Sequence, residues 1–157
     1  MADIGIALQQ GDTAPDFTLK DHEGKEFKLS GHKGKRTLMS FHPLAWTDVC
    51  AKQMQSLEAN LDTLESLDTI PVGISVDSVP CKKAWADSLG ITRTSLLSDF
   101  WPHGGVAIQY GMFMQKAGIS RRANILVDED GKVRFLRVYD INELPDIQEI
   151  IKLIKGI

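Results

Sequence analysis

Cysteine is scarce: the 157 residues hold two, Cys50 and Cys81, and they do not form a Cys-x-x-Cys pair. That excludes a disulfide framework and leaves each thiol needing its own explanation. The four histidines, His22, His32, His42 and His103, do not stand at zinc-finger spacing from either cysteine, so no structural metal is expected. Long apolar runs are missing as well. No stretch approaches the ~20 residues of a membrane span, which excludes a membrane-embedded chain. The opening MADIGIALQQ has Asp3 where a secretory signal carries positive charge, and it is too poor in apolar residues for a signal core. A cytoplasmic protein is the expectation. Charge of one sign is not concentrated either: the net charge is -3, and basic residues gather only in pairs such as Lys82-Lys83 and Arg121-Arg122. The footprint that nucleic-acid binding needs is therefore absent.

What is present is the composition of an ordinary globular chain, 43% hydrophobic and 25% charged, at the length of one domain spanning 1–157. Its patterning alternates between strand and helix. Extended stretches at 16–20 and 26–29 flank the polar turn His22-Glu23-Gly24-Lys25, and the apolar run 37–42 follows a loop at 31–35. From Val49 the residues Met54, Leu57, Leu61 and Leu64 recur at three- and four-residue steps, predicting an amphipathic helix. A buried strand over 69–76 leads to a helix over 80–89 that Gly90 ends. There follow a short strand at 95–97, a short helix at 104–110, two strands at 122–127 and 133–139 around the turn Asp128-Glu129-Asp130-Gly131, and a closing helix over 144–155. The fold class predicted is α/β, a mixed central sheet with helices on both faces.

The chemistry concentrates in Phe41-His42-Pro43-Leu44-Ala45-Trp46-Thr47-Asp48-Val49-Cys50, where a buried strand reaches a proline, a loop and then a cysteine in the first turn of the long helix. Unpaired backbone N–H groups and the positive end of the helix dipole favour a thiolate there. Thr47 or Asp48 can cap the helix, and the Thr47 hydroxyl is close enough in sequence to reach the sulfur or an oxygen bound to it. On this local pattern alone, Cys50 is equally well a small buried hydrophobe.

The segment Pro43-x-x-x-Thr47-x-x-Cys50 resembles the active-site motif of the peroxiredoxins. The likeness extends through Gly11-Asp12-x-Ala14-Pro15-Asp16-Phe17, Ser75-Val76-Asp77-Ser78, Leu97-Ser98-Asp99 and Tyr110-Gly111, and so covers nearly the whole chain. It implies a thioredoxin-like fold and a thiol-dependent peroxidase. In such an enzyme the Cys50 thiolate attacks hydrogen peroxide or a small organic hydroperoxide and becomes a sulfenic acid, without metal or other cofactor. Pro43 and Thr47 would belong to the peroxide pocket. The family also places an arginine on a strand six residues before an aspartate, and counting back from Asp128 selects Arg122 over Arg121, which is left as a solvated charge. Arg122 would stabilise both thiolate and transition state.

Departures from the family pattern bear on the site. Residue 53 is Gln where a glutamate is common, which leaves Arg122 less anchored. Asp48 places a carboxylate near the sulfur and opposes the thiolate unless it caps the helix or pairs with a cation. No cysteine follows Cys81, and the Gly-Gly-Leu-Gly insertion and Tyr-Phe tail of easily over-oxidised members are missing. The chain thus resembles compact subgroups that commonly dimerise, and a homodimer is expected. Cys81, the only other thiol, is the candidate resolving residue, with Pro80, Lys82 and Lys83 expected to favour its thiolate. A one-cysteine mechanism is the alternative, and in either case a thioredoxin- or glutaredoxin-like thiol protein would be the reductant. A thiol-disulfide oxidoreductase or a non-catalytic interaction module on the same fold would be the competing functions. Trp85 and His42 are expected to be packed, Met112 and Met114 to fill a gap, and Trp46 with Phe100 and Trp101 to rim the pocket.

Overall fold

Seven strands form one mixed sheet in the computed structural model, which describes residues 8–157. The reading of the N-terminal segment as no secretory signal falls mainly on residues 1–7, outside that range. In chain order the elements are β1 (Thr18–Asp21), β2 (Glu26–Lys28), β3 (Arg36–Phe41), α1 (Asp48–Ala59), α2 (Leu61–Ser66), β4 (Thr69–Ser75), α3 (Val79–Leu89), β5 (Ser95–Ser98), α4 (Gly105–Gln109), β6 (Phe113–Met114), β7 (Ile119–Ser120), β8 (Arg122–Val127), β9 (Val133–Tyr139) and α5 (Ile147–Lys155). From edge to edge the sheet runs β2-β1-β5-β4-β3-β8-β9. β3 pairs in parallel with β4 and antiparallel with β8, which puts Phe41 opposite both Ile74 and Ala123.

The period-two alternation of β3 sorts the core into two layers. Leu38 faces Cys50, Met54, Leu57, Trp85, Leu126 and Ile150, beneath α1, α3 and α5. Met39 and Phe41 face the other way, onto Phe17, Val72, Ile74, Tyr110 and Ile125, with α4 contributing Val106 and Ala107. Helices therefore cover both faces, as predicted. Among the described residues no helix is long and apolar enough to cross a membrane.

Boundaries shift where local chemistry outweighs periodicity. The single helix expected from Val49 to Leu64 is interrupted at Asn60, whose ψ of 14° leaves the helical range and whose side-chain amide donates back to Ser56 O at 2.8 Å. The last helix begins at Ile147 rather than 144, because Pro145 disfavours helix before it and the Asp146 carboxylate caps Gln148 N at 2.9 Å. β6 and β7 were not anticipated: two residues each are too few to show a period.

The helix carrying Cys50 leaves no room for a side chain on the strand residue beneath it. Cys50, Gln53, Met54 and Leu57 form its buried stripe, and beneath it stands Gly73 of β4, where a Cβ would come within 2.3 Å of Met54 Sδ and 3.0 Å of Leu96 Cδ2. Gly73→Ala should therefore cost on the order of 1–3 kcal/mol by overpacking, read as a lowered denaturation midpoint with an unchanged slope.

Candidate active site

Cys50 sits in the first turn of α1 with no exposed surface. Arg122 is the first residue of β8 and shares a sheet face with Leu126, so its side chain runs under α1 instead of into solvent. Its Nη1 lies 3.4 Å from Cys50 Sγ. The same nitrogen donates to Gln53 Oε1 at 2.6 Å, while Nε and Nη2 donate to the carbonyl of Ile141 at 3.1 and 2.7 Å. The expectation of a loosely held arginine is thus corrected. A neutral amide oxygen does the anchoring, and Gln53 is fixed in turn because its Nε2 donates to Ser40 Oγ at 2.7 Å and Phe41 O at 3.1 Å. The signal for Gln53 was its place on the buried stripe of α1; nothing in the sequence marked the Ile141 carbonyl.

Pro43 is buried in the loop between β3 and α1. Thr47 occupies the N-cap position, but its hydroxyl donates backwards to Leu44 O at 2.7 Å rather than capping the helix, so the oxygen lone pairs are left to accept. Asp48 is exposed and pairs with Lys52 at 3.3 Å, one helical turn on, which removes the expected opposition to a thiolate. Arg121 departs from its expected place in solvent: it is half-buried, its Nε is shielded from water, and its backbone N–H donates to Met112 O at 2.6 Å.

A second buried polar group adjoins the first. Lys82, one of the basic pair Lys82-Lys83, has no exposed surface. It falls on the stripe that continues through Trp85, Ala86 and Leu89, the spacing that could have revealed it. Its Nζ donates to Ser75 Oγ at 2.8 Å and lies 3.4 Å from His42 Nε2. Burial pulls the ammonium down to about 7, against the pull of the Asp77 carboxylate. His42 packs against Trp85, with ring centroids 5.4 Å apart, as its reading as a packed histidine required. Burial and the Lys82 charge push it well below its ordinary value, leaving a neutral imidazole.

Cys81 lies in the first turn of α3, half-buried, its thiol 3.8 Å from Asp77 Oδ1. Asp77 also accepts from Ala45 N at 2.8 Å and from Ser75 Oγ at 2.7 Å, tying the Cys50 loop to the end of β4. Burial and the Asp77 charge push the Cys81 thiol up, opposing the hydrogen bond from Trp46 and the Lys82 charge. This overturns the expectation of a thiolate favoured by its helix start and neighbouring lysines. Lys83 is turned to the surface, where it pairs with Glu23 and Asp87 at 2.9 and 3.0 Å. Trp46 reaches Cys81 from a strained backbone, φ 66°. Trp46, Phe100 and Trp101 are 57%, 52% and 81% exposed. Phe100, Trp101 and Val79 line one open hollow beside α3.

Residues 10–136 match the model of the AhpC/TSA family. Alkyl hydroperoxide reductase E of Mycobacterium bovis is 41% identical over 140 residues, covering 88% of this chain and 91% of its own. A thiol peroxidase of Streptococcus agalactiae serotype V is 30% identical, covering 96% of this chain and 91% of its own. The solved structure of reduced Plasmodium vivax 2-Cys peroxiredoxin superposes with a TM-score of 0.84 at 28% identity, covering 93% of this chain and 80% of that one.

Because the Lys82 value falls from 10.5 to about 7 on folding, the folded state binds this proton less readily than the unfolded chain. The resulting cost is absent above pH 10.5, grows as pH falls and is complete below about 7. Lys82→Met should therefore stabilise the protein by on the order of 1–4 kcal/mol near neutral pH. That advantage should shrink as pH rises, measured by denaturation of both proteins across the range.

Proposed function

We propose, since the chain belongs to the AhpC/TSA family of peroxiredoxins and is a thiol-dependent peroxidase, that Cys50 is its peroxide-reacting residue and Cys81 the thiol that resolves the oxidised state. The Arg122 guanidinium 3.4 Å from the Cys50 sulfur carries the first assignment. A permanent positive charge at that distance in a water-poor site stabilises the thiolate, and it offers donors to the peroxide oxygens as the O–O bond stretches. Hydrogen peroxide and small organic hydroperoxides are the substrates this enclosed sulfur suits.

The Cys50 sulfur attacks one peroxide oxygen. The O–O bond breaks, the distal oxygen leaves as alkoxide or hydroxide and takes a proton, and Cys50 carries the sulfenic acid. The Thr47 hydroxyl donates its hydrogen bond to Leu44 O, so its oxygen accepts from the peroxide O–H and orients the substrate. Pro43 shapes the loop that keeps water away. The first-turn N–H groups of α1 add donors on the same side.

Cys81 then attacks the Cys50 sulfur, water leaves and a disulfide forms. Bonding requires Cα atoms within about 7 Å, so the fully covered Cys50 and the Cys81 turn must move towards each other. A thioredoxin- or glutaredoxin-like dithiol protein would reduce the disulfide. The reading includes a cytoplasmic, reducing compartment and a homodimer, with a second copy covering the exposed Trp46, Phe100 and Trp101 around the first turn of α3; large exposed aromatic side chains grouped in this way favour association.

Arg122→Ala should slow single-turnover peroxide reduction by on the order of 10². Non-reducing peptide mapping after one equivalent of peroxide should yield a Cys50–Cys81 peptide. Stable sulfenate on Cys50 with Cys81 still free would instead assign reduction to an external thiol.

A further inference from the structure

The peroxide step makes no use of the buried amine of Lys82, and packing does not require one: methionine has nearly the same length and no charge to desolvate. What the amine does have is a connected route to Cys81. Its Nζ is 2.8 Å from Ser75 Oγ, Ser75 Oγ is 2.7 Å from Asp77 Oδ2, and the other Asp77 oxygen is 3.8 Å from Cys81 Sγ. On the far side His42 Nε2, 3.4 Å away, closes the pocket around the amine.

We propose that Lys82 is the proton-accepting end of a buried relay that activates Cys81: the thiol proton passes to Asp77 and, as the Ser75 hydroxyl turns from Asp77 towards the neutral amine, on through Ser75 to Lys82. The proposal rests on the resolving role given to Cys81 above. Lys82 does not touch the reacting sulfur atoms and works through Asp77.

The relay supplies what Cys81 lacks. Its thiol is pushed up by burial and by Asp77, so the reactive thiolate needs a nearby base. Lys82 holds its proton weakly enough, at about 7, to serve as that base near neutral pH. The groups acting on it come from every side: Asp77 before α3, His42 after β3, Cys50 on α1, Cys81 on its own helix and Asp99 after β5. The acidic groups and thiols favour the ammonium, and burial outweighs them.

Atoms and electrons balance without an outside oxidant. The Cys81 proton moves to Lys82, leaving a thiolate close to an ammonium. The thiolate electron pair forms the S–S bond as the S–O bond of the Cys50 sulfenic acid breaks. The departing hydroxide is neutralised by the proton held on Lys82 and leaves as water. Cys81 is oxidised and the Cys50 sulfenic acid is reduced.

The test is rapid-quench peptide mapping, which follows Cys50 oxidation and Cys50–Cys81 bond formation as separate phases across the neutral pH range. The bond-forming phase of the unsubstituted protein should accelerate through pH about 7, where Lys82 loses its proton. Lys82→Met should slow that phase about tenfold or more above neutrality and abolish the inflection. Ser75→Ala, which leaves the amine in place and cuts the route, should do the same. Bond formation in Lys82→Met at the parent rate and pH profile overturns the relay while leaving Cys81 as the resolving thiol. Equal slowing of both phases with the inflection retained also overturns it, and absence of the disulfide in the unsubstituted protein overturns both assignments.

Discussion

Burying a guanidinium is expensive unless its donors are met, and Arg122 is only 3% exposed. That constraint organises the protein. The donors are met by the Gln53 amide, the Ile141 carbonyl and the Cys50 sulfur, which come from α1, from the segment after β9 and from α1 again. For these to converge, α1 must pack with Met54 directly over β4, where only Gly73 leaves space for it. β8 must also sit next to β3, so that Arg122 comes up beside the end of the strand that leads into the Cys50 loop. Sheet order, helix depth and the anchoring of one side chain are therefore a single arrangement.

The loop between β3 and α1 is held from the other side by a carboxylate. Asp77 accepts from Ala45 N and Ser75 Oγ and faces the Cys81 thiol, so one residue joins the segment carrying Cys50 to the helix carrying Cys81. The buried amine of Lys82 lies behind it on α3, close to a neutral His42. The polar groups thus fall into two neighbouring sets, a cationic one around Cys50 and a mixed one around Cys81. Cys50 has a permanent positive charge against its sulfur, whereas Cys81 has a carboxylate. Their opposite electrostatics suit the two duties proposed for them, attack on peroxide at Cys50 and resolution at Cys81.

Cys50 and its motif partners were legible because they are contiguous. Pro43, Thr47 and Cys50 lie within eight residues, on a strand end and a helix start whose apolar periods are strong. The choice of Arg122 over Arg121 was legible from its spacing to Asp128, although Arg121 proved half-buried instead of solvated. The burial of Lys82 was not legible from its place in a basic pair, and only its register with Trp85 and Ala86 marks it. The behaviour of Cys81 was misread for a related reason. A helix start and two lysines predict a thiolate, but the dominant neighbours are Asp77 and the protein interior, and Lys83 faces away.

By itself the sequence determined the alternation of strands and helices, the sheet covered on both faces, and the spacing that singles out Cys50 and Arg122, because each is written in short-range periodicity or fixed spacing. Only the tertiary structure decided how Arg122 is anchored, which lysine is buried, and what charge surrounds Cys81. Those depend on desolvation and on contacts between residues far apart in the chain, such as Arg122 with Ile141 and Lys82 with His42. Electrostatic energy inside a protein varies with the dielectric and with distances of a few ångströms, and neither exists until the chain has folded.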